Sequence, residues 1–224
     1  MSSSNTLNVS KKVQQYVSHL NKGKPFTLDQ VVKKKELPVQ QRNNASKALQ
    51  RMVADRLLVR LSNGTYYRPK ESRFGSLPLE TKEIVKVVTK SKKATVVPAG
   101  AFAINALGLD TQLPMVSSYY ISVRMRTQFI ADSIKFEYKE SLQHFSQKFS
   151  VKDEEIKYLG LLFWSALTYL DRHTSDLYAS KLTNKFTSSM DQPTQDRFLS
   201  ALPPSMKWAK EILKTNESLH RNSK

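Results

Sequence analysis

The chain has 224 residues, a formal net charge of +17 and a pI near 9.9. That length suits one large or two modest domains, and the charge implies a polyanionic partner. No cysteine is present, which excludes disulfides, a thiolate metal site and a cysteine nucleophile, and fits a reducing cytoplasm. The opening residues, MSSSNT, are polar, and the densest apolar patch is LGLLFW at 159–164. No stretch reaches the roughly 18 apolar residues of a membrane-spanning helix, so secretion and membrane insertion are not expected and a cytoplasmic protein is.

In chain order, VSKKVQQYVSHL places Val13, Tyr16, Val17 and Leu20 on one face of a first helix. FTLDQVVKKKELP predicts a second, with Leu28, Val31 and Val32 turned to a core and Lys33, Lys34 and Lys35 to solvent. Pro38 suits a turn or a first helical position and separates it from the next helix. Within VQQRNNASKALQRMVADR, Ala45, Ala48, Leu49 and Met52 recur at i, i+3, i+4 and i+7. The opposite face carries Asn43, Lys47 and Gln50, flanked by Asn44, Ser46 and Arg51, with Gln40 and Arg42 at its start. Two short β-prone runs, LLVRL and TYYRP, then flank Ser62-Asn63-Gly64, and Asn-Gly is a strong hairpin signal because both residues tolerate positive φ. Arg60, Tyr66 and Arg68 are expected to decorate this hairpin.

Helix, turn, helix and hairpin in that order predict a winged helix-turn-helix domain over residues 1–70. Asn and Gln can bond adenine in the major groove, while Arg and Lys favour guanine or phosphate. The expected DNA-binding residues are therefore Gln40, Arg42, Asn43, Asn44, Ser46, Lys47, Gln50 and Arg51, with Lys33, Lys34, Arg60, Tyr66 and Arg68 towards the backbone. Winged helices also bind proteins, and basic faces also bind RNA. Charge favours DNA: residues 1–75 hold 15 Lys and Arg against 4 Asp and Glu, the rest of the chain 21 against 15.

Residues 71–79 combine Gly75, Pro78 and mixed charge and are expected to form a linker. The second domain, 80–224, opens with a helix carrying Ile84, Val87 and Val88 on one face and Lys82, Lys86, Lys90, Lys92 and Lys93 elsewhere. ATVVP reads as a short buried strand and AGAFAINALGL as a compact helix capped by Gly108. SSYYISVRM and TQFIADSIKFEYKE alternate polar and apolar residues as antiparallel strands do, with a turn at Asp132-Ser133. Helix resumes after Ser150, with a capping-box-like start at Ser150, Asp153 and Glu154. Two or three further helices follow, the last pair broken by Pro203-Pro204. The fold class is α+β: a winged helix-turn-helix domain, then a mixed α/β domain with a small antiparallel sheet and a helical tail.

Enzymatic signals are weak. The six glycines have neither Walker nor dinucleotide-fingerprint spacing, and no G-x-S-x-G occurs. Among the histidines only His173 lies near carboxylates, Asp171 and Asp176, a pattern typical of a helix end rather than a metal site. Asp153-Glu154-Glu155 suits a helix first turn. No catalytic residue, metal or cofactor is expected.

The hairpin ending G-x-Y-Y-R-P, the P-x-G-x-x-A-x-N-x-L-G-L segment at 98–109, the T-Q-x-P at 111–114 and the strand pair after it are the residues of a resemblance. Over roughly residues 10–140 the chain resembles the AbiEi-type antitoxins of bacterial abortive-infection operons. That resemblance implies a repressor of its own toxin–antitoxin operon, bound to double-stranded operator DNA. It also implies a nucleotidyltransferase-like toxin as functional partner, counteracted by the second domain in type IV fashion, without an obligatory stable complex. One alternative is a winged-helix regulator whose second domain dimerises or senses a ligand, which a deep apolar pocket there would favour; another is a DNA-processing or RNA-modifying accessory protein without its own catalysis. The 98–114 segment itself reads as tight packing of small residues, or as a contact for the toxin or its target.

Overall fold

A computed structural model of the chain describes residues 2–73, 75–77, 79–125, 129–130, 134–170 and 172–214. It is an α+β protein divided into two compact units, residues 1–93 and 94–224.

In the first unit, helix α1 (Ser2–Ser18) precedes strand β1 (Pro25–Thr27) and helix α2 (Leu28–Lys34). A 3-10 turn (Val39–Gln41) leads into α3 (Arg42–Ala54), followed by β2 (Val59–Ser62) and β3 (Thr65–Tyr67). The short strands β4 (Lys70–Ser72) and β5 (Gly75–Leu77) and helix α4 (Thr81–Lys92) complete it. Helix α2 starts at a capping box: Thr27 Oγ1 accepts from Gln30 N at 3.2 Å, and Gln30 Oε1 accepts from Thr27 N at 2.9 Å. Gly64, at φ +76°, turns β2 into β3, and its carbonyl accepts from Leu28 N at 2.8 Å, tying the hairpin to the start of α2. Val9, Val13 and Val17 of α1 share one buried cluster with Val31 of α2, Ala45, Ala48, Leu49 and Met52 of α3, and Phe26 and Tyr66 of the sheet.

The sheet order is β1-β3-β2, all antiparallel. Sequence placed the two hairpin strands but read residues 26 and 27 as part of the second helix. Three residues carry no period, and only the pairing of Pro25, Phe26 and Thr27 with Tyr67, Tyr66 and Thr65 makes them a strand. The stretch expected as a linker carries the exposed β4–β5 hairpin, and the division into units falls after α4 rather than before it. Ile84 and Val88 of α4 are buried and the helix packs by β1, which places it in the first unit.

The second unit runs β6 (Val96–Pro98), α5 (Ala101–Ala106), β7 (Ser117–Ile121), β8 (Phe129–Ile130), β9 (Ile134–Tyr138), α6 (Glu140–Lys148), α7 (Glu154–Tyr169), α8 (Arg172–Ser189), α9 (Gln192–Ala201) and α10 (Lys207–Lys214). The sheet order is β6-β7-β9-β8. β8 and β9 pair antiparallel as expected, but β7 and β9 pair parallel, Ser117 opposite Ile134 through Ile121 opposite Tyr138, so this sheet is mixed. Alternation reports which face a side chain takes and is silent on strand direction. The turn expected at Asp132-Ser133 lies outside the described residues.

Helix α6 was not read from the sequence. Leu142, Phe145 and Phe149 follow at i, i+3 and i+7, but the helix joins β9 with a single residue between, and the strand pattern masked its start. The α7 N-cap is Asp153, not Ser150: its Oδ1 accepts from Glu155 N at 2.8 Å and Ile156 N at 3.1 Å. Helix α7 is apolar nearly all round and is buried from Gly160 to Leu167, the central post of this core. Around it Phe145 stacks on Trp164 at 5.6 Å, and Phe198 meets Phe149, Phe163 and Phe186 at 5.1–6.3 Å between centroids. Ser165 Oγ donates to Pro98 O at 2.5 Å, so the one buried hydroxyl of the post is satisfied by β6.

A Cβ on Gly160 would fall inside the van der Waals envelope of the Phe149 ring, which is fully buried and cannot swing away. Gly160→Ala is therefore expected to lower stability by about 1–3 kcal/mol, despite alanine's better helix propensity, because overpacking outweighs it. Urea unfolding of the full chain measures this.

Candidate nucleic-acid interface

Helix α3 divides cleanly into two faces. Ala45, Ala48, Leu49 and Met52 are buried, while Asn43, Lys47 and Gln50 point outward and are exposed, with Arg51 beside them. Asn44 and Ser46 are half-buried at the edges of that face. Gln40 is exposed in the 3-10 turn that leads into α3, and Lys33 and Lys34 are exposed in the last turn of α2. Arg42 is exposed but paired, its Nη2 donating to Asp29 Oδ1 at 2.6 Å, so it ties the start of α3 to α2 and would have to exchange Asp29 for another anion. The face presents amide donors and acceptors beside cations, the set that can read base edges and hold phosphates.

The hairpin residues separate. Arg60 is exposed; its Nη2 donates to Asn63 Oδ1 at 2.9 Å and its Nε to Ser62 O at 3.4 Å, which holds the guanidinium over the tip of the turn. Tyr66 is not a surface residue. It is 1% exposed, with its ring 6.1 Å from that of Phe26, in the cluster that backs α3. It is a core residue. Arg68 is half-buried, and its Nη1 donates to the carbonyls of Ser18 and Leu20, both at 2.8 Å, so it clamps the C-terminal end of α1. Sequence alone could not separate these roles, because the acceptors lie about 50 residues upstream.

The charge boundary is sharper than the sequence division at residue 75 suggested. Residues 1–93 hold 20 Lys and Arg against 6 Asp and Glu, a net of +14; residues 94–224 hold 16 against 13, a net of +3. Sequence counting missed this because it assigned α4, with its lysines, to the other domain.

In the second unit the 98–114 segment is mainly a packing device. Ala103, Ile104, Leu107 and Leu109 are buried, and Gly100 takes φ +62° at the start of α5. Asn105 Nδ2 donates to Asp110 O at 3.1 Å. Gln112 N donates to Asp110 Oδ1 at 3.0 Å, and Tyr178 Oη to Oδ2 at 3.3 Å. The Gln112 amide holds the Asp110 carboxyl below the usual carboxylate range. A cleft of about 230 Å³ opens there between Ile104, Asp110, Leu113, Tyr169 and Tyr178. Among the described residues no group of three or more His, Asp or Glu is placed to hold a metal ion, and no helix is long and apolar enough to cross a membrane. The His173 side chain lies outside the described residues.

Two compact units, the first strongly basic with an amide-rich helix face, define the molecule as an α+β protein with a candidate polyanion-binding surface. The chain belongs to a family of unknown function, DUF6088, whose pattern it matches over residues 9–157. No curated protein matches it. Among solved structures it is similar to the crystal structure of the RV2827C protein from Mycobacterium tuberculosis, with a TM-score of 0.50 and 11% identity over 93% of this chain and 77% of that one. At that identity the likeness is one of fold.

The two hairpin arginines should behave differently. Arg68→Ala leaves the Ser18 and Leu20 carbonyls without their donor and is expected to destabilise the first unit by about 1–3 kcal/mol. Arg60→Ala should change stability by less than about 0.5 kcal/mol, as exposed surface changes do. Chemical denaturation of both variants, followed by circular dichroism, tests the contrast.

Proposed function

We propose that residues 1–93 are a winged helix-turn-helix DNA-binding module, with α3 as recognition helix and the β2–β3 hairpin as wing. In this reading the protein represses its own operon and acts as the antitoxin of an abortive-infection toxin–antitoxin pair. The carrying observation is the exposed Asn43, Lys47 and Gln50 face, backed by a fully buried stripe, in a unit of net charge +14. The antitoxin half rests on the resemblance to AbiEi-type proteins and assigns the second unit to counteracting a nucleotidyltransferase-like toxin in the cytoplasm. No catalysis, metal or cofactor is part of this reading. Arg60 is the wing's contact residue; Tyr66 and Arg68 support the wing from within. The alternative, a regulator whose second unit senses a small ligand, calls for a deep apolar pocket, and the cleft beside Asp110 is small, open and partly polar.

The test is a footprint of the full chain on its own promoter. Asn43→Ala should cost about 1–3 kcal/mol and relax preference at one base pair, as loss of a bidentate amide contact does. Lys47→Ala should weaken operator and random duplex alike and make the plot of log K against log salt shallower by about one unit. Arg60→Ala should shift the same slope by about 0.9. An operator affinity indifferent to all three would remove α3 and the hairpin from the interface. For the second unit, residues 94–224 co-expressed with a cognate nucleotidyltransferase-like toxin should restore growth at least partly; rescue by residues 1–93 alone would mean that protection is repression only.

A further inference from the structure

Helix α4 carries Lys82, Lys86 and Lys90 at i, i+4 and i+8, all exposed, on the side away from the buried Ile84 and Val88, and the exposed Lys93 follows as its C-cap at φ +50°. At 1.5 Å per residue the row from Lys82 to Lys90 is roughly 12 Å long, with about 6 Å between successive members. Of these lysines Lys82 is ion-paired, to Glu80 at 2.8 Å. Like charges at i, i+4 destabilise a helix, and a solvated face that served stability alone would alternate Glu with Lys. The helix dipole accounts for Lys90 and Lys92 in the last turn, but it opposes Lys82 near the first. The helix also contains Thr81, Ile84, Val85, Val87, Val88 and Thr89, β-branched residues with modest helix propensity, and its acidic neighbours, Glu80 and Glu83, offset the repulsion only at its start, beside Lys82 and Lys86, leaving Lys90 with none.

We propose that this lysine row is a second nucleic-acid contact of the first unit, lying along the phosphate backbone of double-stranded DNA outside the bases read by α3. It rests on the DNA-binding reading of residues 1–93 and extends it. Lysine ammonium groups on flexible stems are point charges with no preferred plane, so the row adds affinity and salt dependence without base preference. Duplex DNA carries one charge per about 1.7 Å of axis, so a row of this length always faces several phosphates whatever its register.

The experiment compares the full chain with a K82Q/K86Q/K90Q variant and with the corresponding K82R/K86R/K90R variant. Each is titrated against an operator duplex and a shuffled duplex of equal length at several salt concentrations, with circular dichroism to establish folding. The glutamine variant is expected to flatten the log K against log salt slope by about 2.7, at 0.9 per phosphate contact, on both duplexes. Its operator-to-shuffled ratio should stay unchanged, and the arginine variant should keep the original slope. If the triple glutamine variant does not fold, the single variants K86Q and K90Q should each flatten the slope by about 0.9. A folded glutamine variant with an unaltered slope overturns the proposal. So does an unaltered slope accompanied by lost binding to phosphatidylcholine vesicles containing about one-third phosphatidylserine, which would assign the row to a membrane surface. Should the protein show no operator preference while the slope still falls on the shuffled duplex, the repressor reading fails and the lysine row stands.

Discussion

The burial of Ala45, Ala48, Leu49 and Met52 in one cluster with Val9, Val13 and Val17 is the interaction on which the first unit depends. A unit with 20 cations against 6 anions repels itself, and that repulsion weakens any compact state. Each fully buried aliphatic side chain contributes about 1.5–3 kcal/mol, and the cluster joins all three helices preceding the hairpin to the sheet. The apolar stripe of α3 is what frees its opposite face to be polar. Without it, Asn43, Lys47 and Gln50 would have no fixed direction.

The second unit solves a different problem. Its charge is nearly balanced, and its core is built from aromatic rings around α7. Here stability comes from close packing, with Gly160 leaving room for Phe149 and Ser165 meeting the carbonyl of Pro98. The 98–114 segment belongs to that packing on one side and borders the Asp110 cleft on the other. The chemistry of the molecule is thus divided: long-range attraction to anions resides in residues 1–93, and shape in residues 94–224.

Local patterns made much of this legible. The 3.6-residue periods of α1, α3 and α7 and the Asn63-Gly64 turn are set by neighbours a few residues apart, and sequence reports such neighbours directly. The outward residues of α3 followed from the same arithmetic, because the buried stripe dictates the opposite face. Element ends were less legible: Ser150 and Asp153 are both good caps, and only the helix that forms chooses between them.

What the sequence by itself determined is the composition of each face, its charge and its period. Only the tertiary structure decided partners distant in sequence. Phe26 pairs opposite Tyr66 and draws its ring inward; Ser18 and Leu20 capture Arg68; β9 lies parallel to β7; and α4 joins the first unit. In each case the deciding contact spans a long loop. Its selection depends on which surfaces remain to be buried once the local elements have formed, and no window of neighbouring residues contains that information.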